Sequence, residues 1–162
     1  MSSNPVLIPL AAMSSSSHDQ LDVAEVRRRV RLRIETLKHE AAQHRVQVDA
    51  ATASFGPWLD RVAVPLLRQF TSVLRAEGLL FRLLTPAGHA RIEAERSAAD
   101  YLDLVLDTER RPVAIVLRRG YTRGQHLFED ERVVAEGIDY SHVSPADLLD
   151  ALVEDATPFL AR

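Results

Sequence analysis

The residues of this chain best equipped for chemistry are its six histidines, its clustered arginines and two aspartates, Asp103 and Asp107. His39-Glu40-Ala41-Ala42-Gln43-His44 has the residue types of the zinc-protease helix, in which two histidines four apart share a metal and a glutamate acts as base. Here the histidines are five apart. A helix turns about 100° per residue, so the two rings point about 140° apart and cannot meet on one ion. His44 reads instead as a hydrogen-bonded residue on a helix seam, and no other histidine has ligand spacing. Asp103 and Asp107 share one face of a predicted strand, as a metal-dependent nuclease would need. The next strand, Ala114-Ile115-Val116-Leu117-Arg118, supplies neither the further acid nor the lysine of that chemistry.

Gly120-Tyr121-Thr122-Arg123-Gly124 is a glycine-flanked polar stretch with an arginine, the raw material of an anion loop. It lacks the Gly-Lys-Ser/Thr of a P-loop and the dinucleotide glycine pattern, and reads as a turn between strands. Arg27-Arg28-Arg29, with Arg31 and Arg33, spreads around a helix rather than forming one patch, and Asp22, Glu25 and Glu35 lie within pairing distance. Cysteine is absent, which removes disulfides, thiol nucleophiles and Cys-ligated zinc, and Lys38 is the single lysine. No hydroxyl or carboxylate nucleophile has a base at motif spacing. The residues therefore point to no catalytic set, cofactor or metal.

The elements that must position these side chains follow from pattern. The chain has 162 residues and 46% hydrophobic content, enough for one domain with a core. Residues 1–16 read as a disordered tail, within which Pro5-Val6-Leu7-Ile8-Pro9-Leu10 has the makings of a docking strand. Residues 17–162 read as a single α+β domain. Ser17 and Gln20 have the form of a capping box. From there Val23, Val30, Ile34, Leu37, Ala41, His44, Val48 and Ala51 recur at heptad spacing, interrupted by Arg27. Ser54-Phe55-Gly56-Pro57 has turn chemistry, so residues 17–78 are expected to form a helical hairpin. Its second arm carries Leu59, Val62, Leu66, Phe70 and Val73 on one face, flanked by Trp58, Leu67 and Leu74, and either kinks or properly starts near Pro65. At about 1.5 Å per residue the arms would run to roughly 50 Å and 30 Å, leaving apolar seam without cover.

Beyond Gly78, a helix cap, the period falls toward two, and residues 79–135 read as an antiparallel meander of four to six strands. Residues 101–107 and 112–119 form the clearest pair, with Leu106 facing Val113, Leu104 facing Ile115 and Leu102 facing Leu117 across a loop at 108–111. The opposite face sets Val105, Asp103 and Tyr101 against Ala114, Val116 and Arg118. Strands at 121–129 and 131–135 are expected around an acidic turn. Ser144-Pro145-Ala146-Asp147 starts a C-terminal helix over 144–160.

A net charge of -3 gives no general attraction to nucleic acid, which is disfavoured as a partner, although Arg110 to Arg123 would be the region for it. No apolar run reaches the length of a membrane helix, and a cytoplasmic, cysteine-free protein is expected. The expected function is a non-catalytic protein- or peptide-binding module, homodimeric, working through an open sheet edge or face. Tyr101, Asp103, Val116, Arg118, Tyr121 and Arg123 are the expected partner surface. Val23, Val30, Ile34 and Leu37 are the expected dimer seam. The alternative is a cofactor-independent small-molecule enzyme with His89, His126 or Asp103 in a pocket between sheet and hairpin.

Overall fold

A computed structural model describes residues 22–161. The expected tail, its docking strand and the capping box at Ser17 and Gln20 lie outside the described residues. The fold is α+β: helix α1 (Val23–Trp58), a π-helical turn (Leu59–Ala63), α2 (Val64–Ala76), strands β1 (Phe81–Leu84), β2 (His89–Ala94), β3 (Ser97–Asp107), β4 (Ala114–Arg123) and β5 (His126–Glu136), then α3 (Pro145–Asp155) and α4 (Thr157–Leu160). The chain divides into two compact units, residues 1–41 and 42–162, each described by itself.

In the first unit, α1 is held by local charge pairs. Glu25 accepts from Arg28 and Arg29, three and four residues on, and Lys38 pairs with Glu35. Its apolar residues are exposed: Val23 by 72%, Val30 by 53%, Ile34 by 44% and Leu37 by 46%.

In the second unit the expected reversal at Gly56-Pro57 does not occur. Helical backbone runs from α1 through the π turn into α2, and Trp58, Ala63 and Val64 all keep right-handed helical angles. Proline costs an internal helix about 3 kcal/mol through the lost N–H and ring crowding. What offsets that cost here is burial. Phe55, Trp58, Leu59 and Ala63 are all packed into the core, at about 1.5–3 kcal/mol for each large apolar side chain.

Spacing explains the π turn. Ala51, Phe55, Leu59, Ala63, Leu67 and Thr71 are all buried, each four residues after the last. A plain α-helix drifts about 40° with every step of four. The wider π turn rotates less per residue and takes back part of that drift, about 100° for its one extra residue, which helps keep these side chains buried. The buried face is rotated toward the expected flank: Leu59 and Phe70 of the expected face are inside, with the flanking Trp58, Leu67 and Leu74, and Val73 is exposed. Gly78 ends the run with a left-handed φ of 84°, and the Leu79 amide donates to the Leu74 carbonyl at 2.8 Å.

The sheet is a five-stranded antiparallel meander in the order β1-β2-β3-β4-β5. Its inner face carries Ala90, Ile92, Leu102, Leu104, Ile115 and Leu117, which share one core with Leu67, Phe70, Leu148 and Leu152 of α2 and α3. The faces of β3 and β4 are as expected, but the register is two residues away: Leu106 faces Ile115, Leu104 faces Leu117, Leu102 faces Arg119 and Asp103 faces Arg118. A slip of two preserves which side chains point inward. It arises because Val113 leaves the ladder for the core, where its carbonyl accepts from the Gly137 amide at 2.9 Å. The acidic turn expected after Glu129 is also corrected. β4 continues to Arg123, Gly124 turns the chain with φ at 64°, and Glu129 to Glu131 lie within β5.

Residues 137–144 bind back onto the helix. The Trp58 indole donates to the Val143 carbonyl at 3.0 Å, and Ser54, expected in a turn, accepts from the Tyr140 amide at 2.9 Å. Ser144 and Asp147 form a reciprocal capping box that starts α3.

Candidate functional site on the outer sheet face

Because side chains alternate across a strand, the register brings the polar residues of all five strands into rows on the face away from α2 and α3. One row runs Leu84, Arg91, Asp103, Arg118 and Glu131. The next runs Arg82, Glu93, Tyr101, Gly120 and Glu129. The charges alternate and neutralise one another. Glu93 accepts from Arg82 and, at 3.0 Å, from Arg91. Arg91 and Arg118 approach Asp103 and Asp107 at 3.8 and 3.9 Å, and Arg110 reaches over from the β3–β4 loop to pair with Glu131. Asp107 also accepts from the Glu109 and Arg110 amides, so its first duty is to hold that loop.

Tyr101 lies at the centre of this surface. Its hydroxyl donates to Glu129 at 3.1 Å and the Arg91 guanidinium sits 3.9 Å from its ring centroid. The ring lies directly over Gly120: a Cβ built there would stand 2.3 Å from a ring carbon. A depression of about 420 Å³ opens beside it, lined by Tyr101, Arg118, Glu129, Asp130 and Glu131. Burial pushes the Tyr101 hydroxyl above its ordinary pKa, with the bond to Glu129 adding to the shift. Glu93 is held below its ordinary range, first by its hydrogen bond from Arg82.

Asp103 differs from its neighbours. Burial raises its pKa against the opposing pull of His89, Arg91 and Arg118, and its Oδ1 is buried without a hydrogen bond. The nearest ring nitrogen, Nε2 of His89, is 3.8 Å away, beyond hydrogen-bond reach. The face thus offers one unsatisfied acceptor among arginines.

Of the expected partner residues, Tyr101, Asp103, Val116 and Arg118 share this face, but Val116 is fully buried beneath it. Tyr121 and Arg123 fall on the other face, where Tyr121 stacks on Phe128 with ring centroids 5.1 Å apart. His126 opens β5 opposite Arg123 and does not join His89 and Asp103. The space expected to hold an enzyme pocket is filled by Leu67, Ile92, Leu104, Ile115 and Leu117. The arginines of 110–123 do not form one stripe. Arg110 and Arg118 pair with Glu131 on the outer face, whereas Arg119 pairs with Asp130 and Asp155 on the inner. The basic strands and the acidic C-terminal part therefore complement each other within one chain.

His44 donates from Nε2 to the Thr108 carbonyl at 2.7 Å, leaving Nδ1 buried without a donor. Arg82, Arg91, Glu93 and Glu129 were absent from the sequence-based site, and His89 entered it only as a residue of the enzyme pocket. The alternation Arg91, Glu93 in β2 was a signal for two of them, readable only with the cross-strand register. Among the described residues, no group of three His, Asp or Glu is placed to hold a metal ion, and no helix is long and apolar enough to cross a membrane.

Compared with known protein families, curated proteins and solved structures, the chain matches none.

Proposed function

We propose that this protein is a non-catalytic binding module, acting as a homodimer, which takes an extended peptide or a protein strand along β5. The observation that carries this reading is the edge itself. β5 is the terminal strand of the meander and eleven residues long, with Leu127, Phe128 and Val133 exposed along it. The opposite edge, β1, has four residues and lies against α2. An open strand presents unpaired N–H and C=O groups that an added strand satisfies, and side chains beyond the edge give selectivity. The depression beside Tyr101 and Arg118 adjoins the same strand and supplies such contacts. The acids of β5 do not repel an incoming chain as a block, because Glu129, Asp130 and Glu131 are each engaged by Tyr101, Arg119 and Arg110.

Selection from a random peptide library on the immobilised protein tests the reading. Selected peptides are expected to slow amide exchange along residues 127–133. Proline placed at alternate positions of that stretch is expected to abolish binding while the fold persists. Peptides that protect another surface, or no recovered binder at all, would refute it.

A further inference from the structure

We infer that the strand taken along β5 is basic: a lysine or arginine faces Glu129, with apolar side chains facing Leu127 and Val133 on the same side. The inference rests on the edge-strand reading above and names the chemistry of its ligand. The open backbone of β5 makes the site, and the side chains along the edge decide what fits it. On the outer face β5 presents Leu127, Glu129, Glu131 and Val133, opposite Thr122, Gly120, Arg118 and Val116. An added strand lies about 4.8 Å away and sets its own alternate side chains against these, with about 4.5–5.5 Å between facing Cβ atoms. Opposite charges at such positions attract, and like charges repel.

The two acids of that row differ. Glu131 is held by Arg110 and Arg118. Glu129 receives the Tyr101 hydroxyl at 3.1 Å, and among the described residues it forms no ion pair. A hydroxyl donates a hydrogen bond without bringing charge, so this carboxylate stays uncompensated. The cations around it are committed elsewhere. Gly120 stands opposite Glu129 in β4, Arg118 is turned to Glu131 and Asp107, and Arg91 lies over the Tyr101 ring and against Glu93. Arg119 and Arg132 are on the inner face with Asp130, Glu154 and Asp155, and Arg123 is on that face too, opposite His126. The depression of about 420 Å³ sets Glu129, Asp130 and Glu131 against the single arginine Arg118, and it has room for the end of a lysine or arginine that reaches across the edge. Leu127, 52% exposed, and Val133, 37% exposed, offer apolar contacts two residues before Glu129 and four after it. The matching ligand therefore has a basic residue with an apolar residue two positions to one side and another four positions to the other. A second copy of β5 is a poor occupant, because it carries Glu129, Asp130, Glu131 and Glu136 against Arg132 alone.

Peptides selected from a random library on the wild-type protein, and shown by amide exchange to protect residues 127–133, are the probes. They are expected to carry the basic and apolar positions at that spacing. Glu129→Gln, which keeps an acceptor for the Tyr101 hydroxyl, is expected to weaken binding of such a peptide about threefold to fivefold. Replacing the peptide's basic residue by glutamine is expected to do the same, and the two changes together to cost no more than either alone. Selection on Glu129→Lys is expected to yield an acidic residue at the same position. Edge-binding peptides with no basic residue there overturn the inference and leave the edge-strand reading standing. So does a Glu129→Gln variant that weakens the glutamine peptide as much as the basic one, since that loss would be structural. Peptides that protect another surface, or no recovered binder, overturn both.

Discussion

Gly120→Ala tests how the outer face is built. Gly120 sits within β4 opposite Tyr101 of β3, and its backbone is not in a left-handed conformation, so the substitution meets a steric obstacle and not a torsional one. The added methyl would stand 2.3 and 2.8 Å from two ring carbons of Tyr101 and 2.9 Å from the Ala99 carbonyl oxygen. The carbonyl belongs to the ladder and cannot retreat, so the ring must. Moving it strains the Tyr101 hydroxyl bond to Glu129 and the Arg91 contact over the ring. A neutral-to-charged hydrogen bond contributes about 1.5 kcal/mol or more, an exposed cation–π contact about 0.5–1, and overpacking alone costs about 1–3. A loss of about 2–3 kcal/mol follows, since these effects overlap. Urea unfolding should show it as a lower midpoint at unchanged slope. In a Tyr101→Ala background the same substitution should cost at least about 1 kcal/mol less, the remainder coming from Ala99. Equal costs in both backgrounds, or a loss below about 0.5 kcal/mol in the first, would refute the claim that the ring rests on the glycine.

Two further outcomes follow from the same structure. Trp58→Phe removes the donor to the buried Val143 carbonyl and is expected to lower stability by about 1–3 kcal/mol in denaturant unfolding; an unchanged midpoint would show that residues 137–144 are not anchored there. Burial raises the Asp103 pKa in the folded state, so folding favours its protonated form and ionisation costs stability as pH rises from about 4 through the folded pKa. The stability of the wild type relative to Asp103→Asn should therefore fall across that range, and a difference independent of pH would contradict it.

The sheet was legible to the extent that period alone decides it. Alternation assigned Leu102, Leu104, Ile115 and Leu117 to the core and Tyr101, Asp103 and Arg118 to the outer face, all as found. Pairing partners were not legible, because a two-residue slip leaves every face unchanged and the decision passes to the loop. There Val113 is drawn into the core, lengthening the connection beyond the four residues that charge and turn chemistry suggested. The same limit hid most of the candidate site. Arg82, Arg91 and Glu93 join Asp103 and Tyr101 only through cross-strand neighbours. Tyr121 and Arg123 were misplaced because they were grouped by sequence proximity, although two residues of one strand share a face only at even spacing.

In the helical half the sequence carries two conflicting signals. Gly56-Pro57 and Pro65 are local signals for a break, and they outweighed the apolar spacing around them. That spacing is incompatible with a chain reversal at 54–57: Phe55 and Leu59 flank the supposed turn yet continue the steps of four that begin at Ala51 and end at Thr71. A hairpin would reset the phase at the turn, and a plain α-helix would carry the stripe about 200° around its axis over five such steps. Unbroken helix with one widened turn, which takes back about 100° of that drift, accommodates both the spacing and the prolines. The π turn lies between Pro57 and Pro65, where two missing amides already relax the α-helical hydrogen-bond ladder. Six buried side chains at steps of four decide the backbone there, and the two prolines determine where it yields.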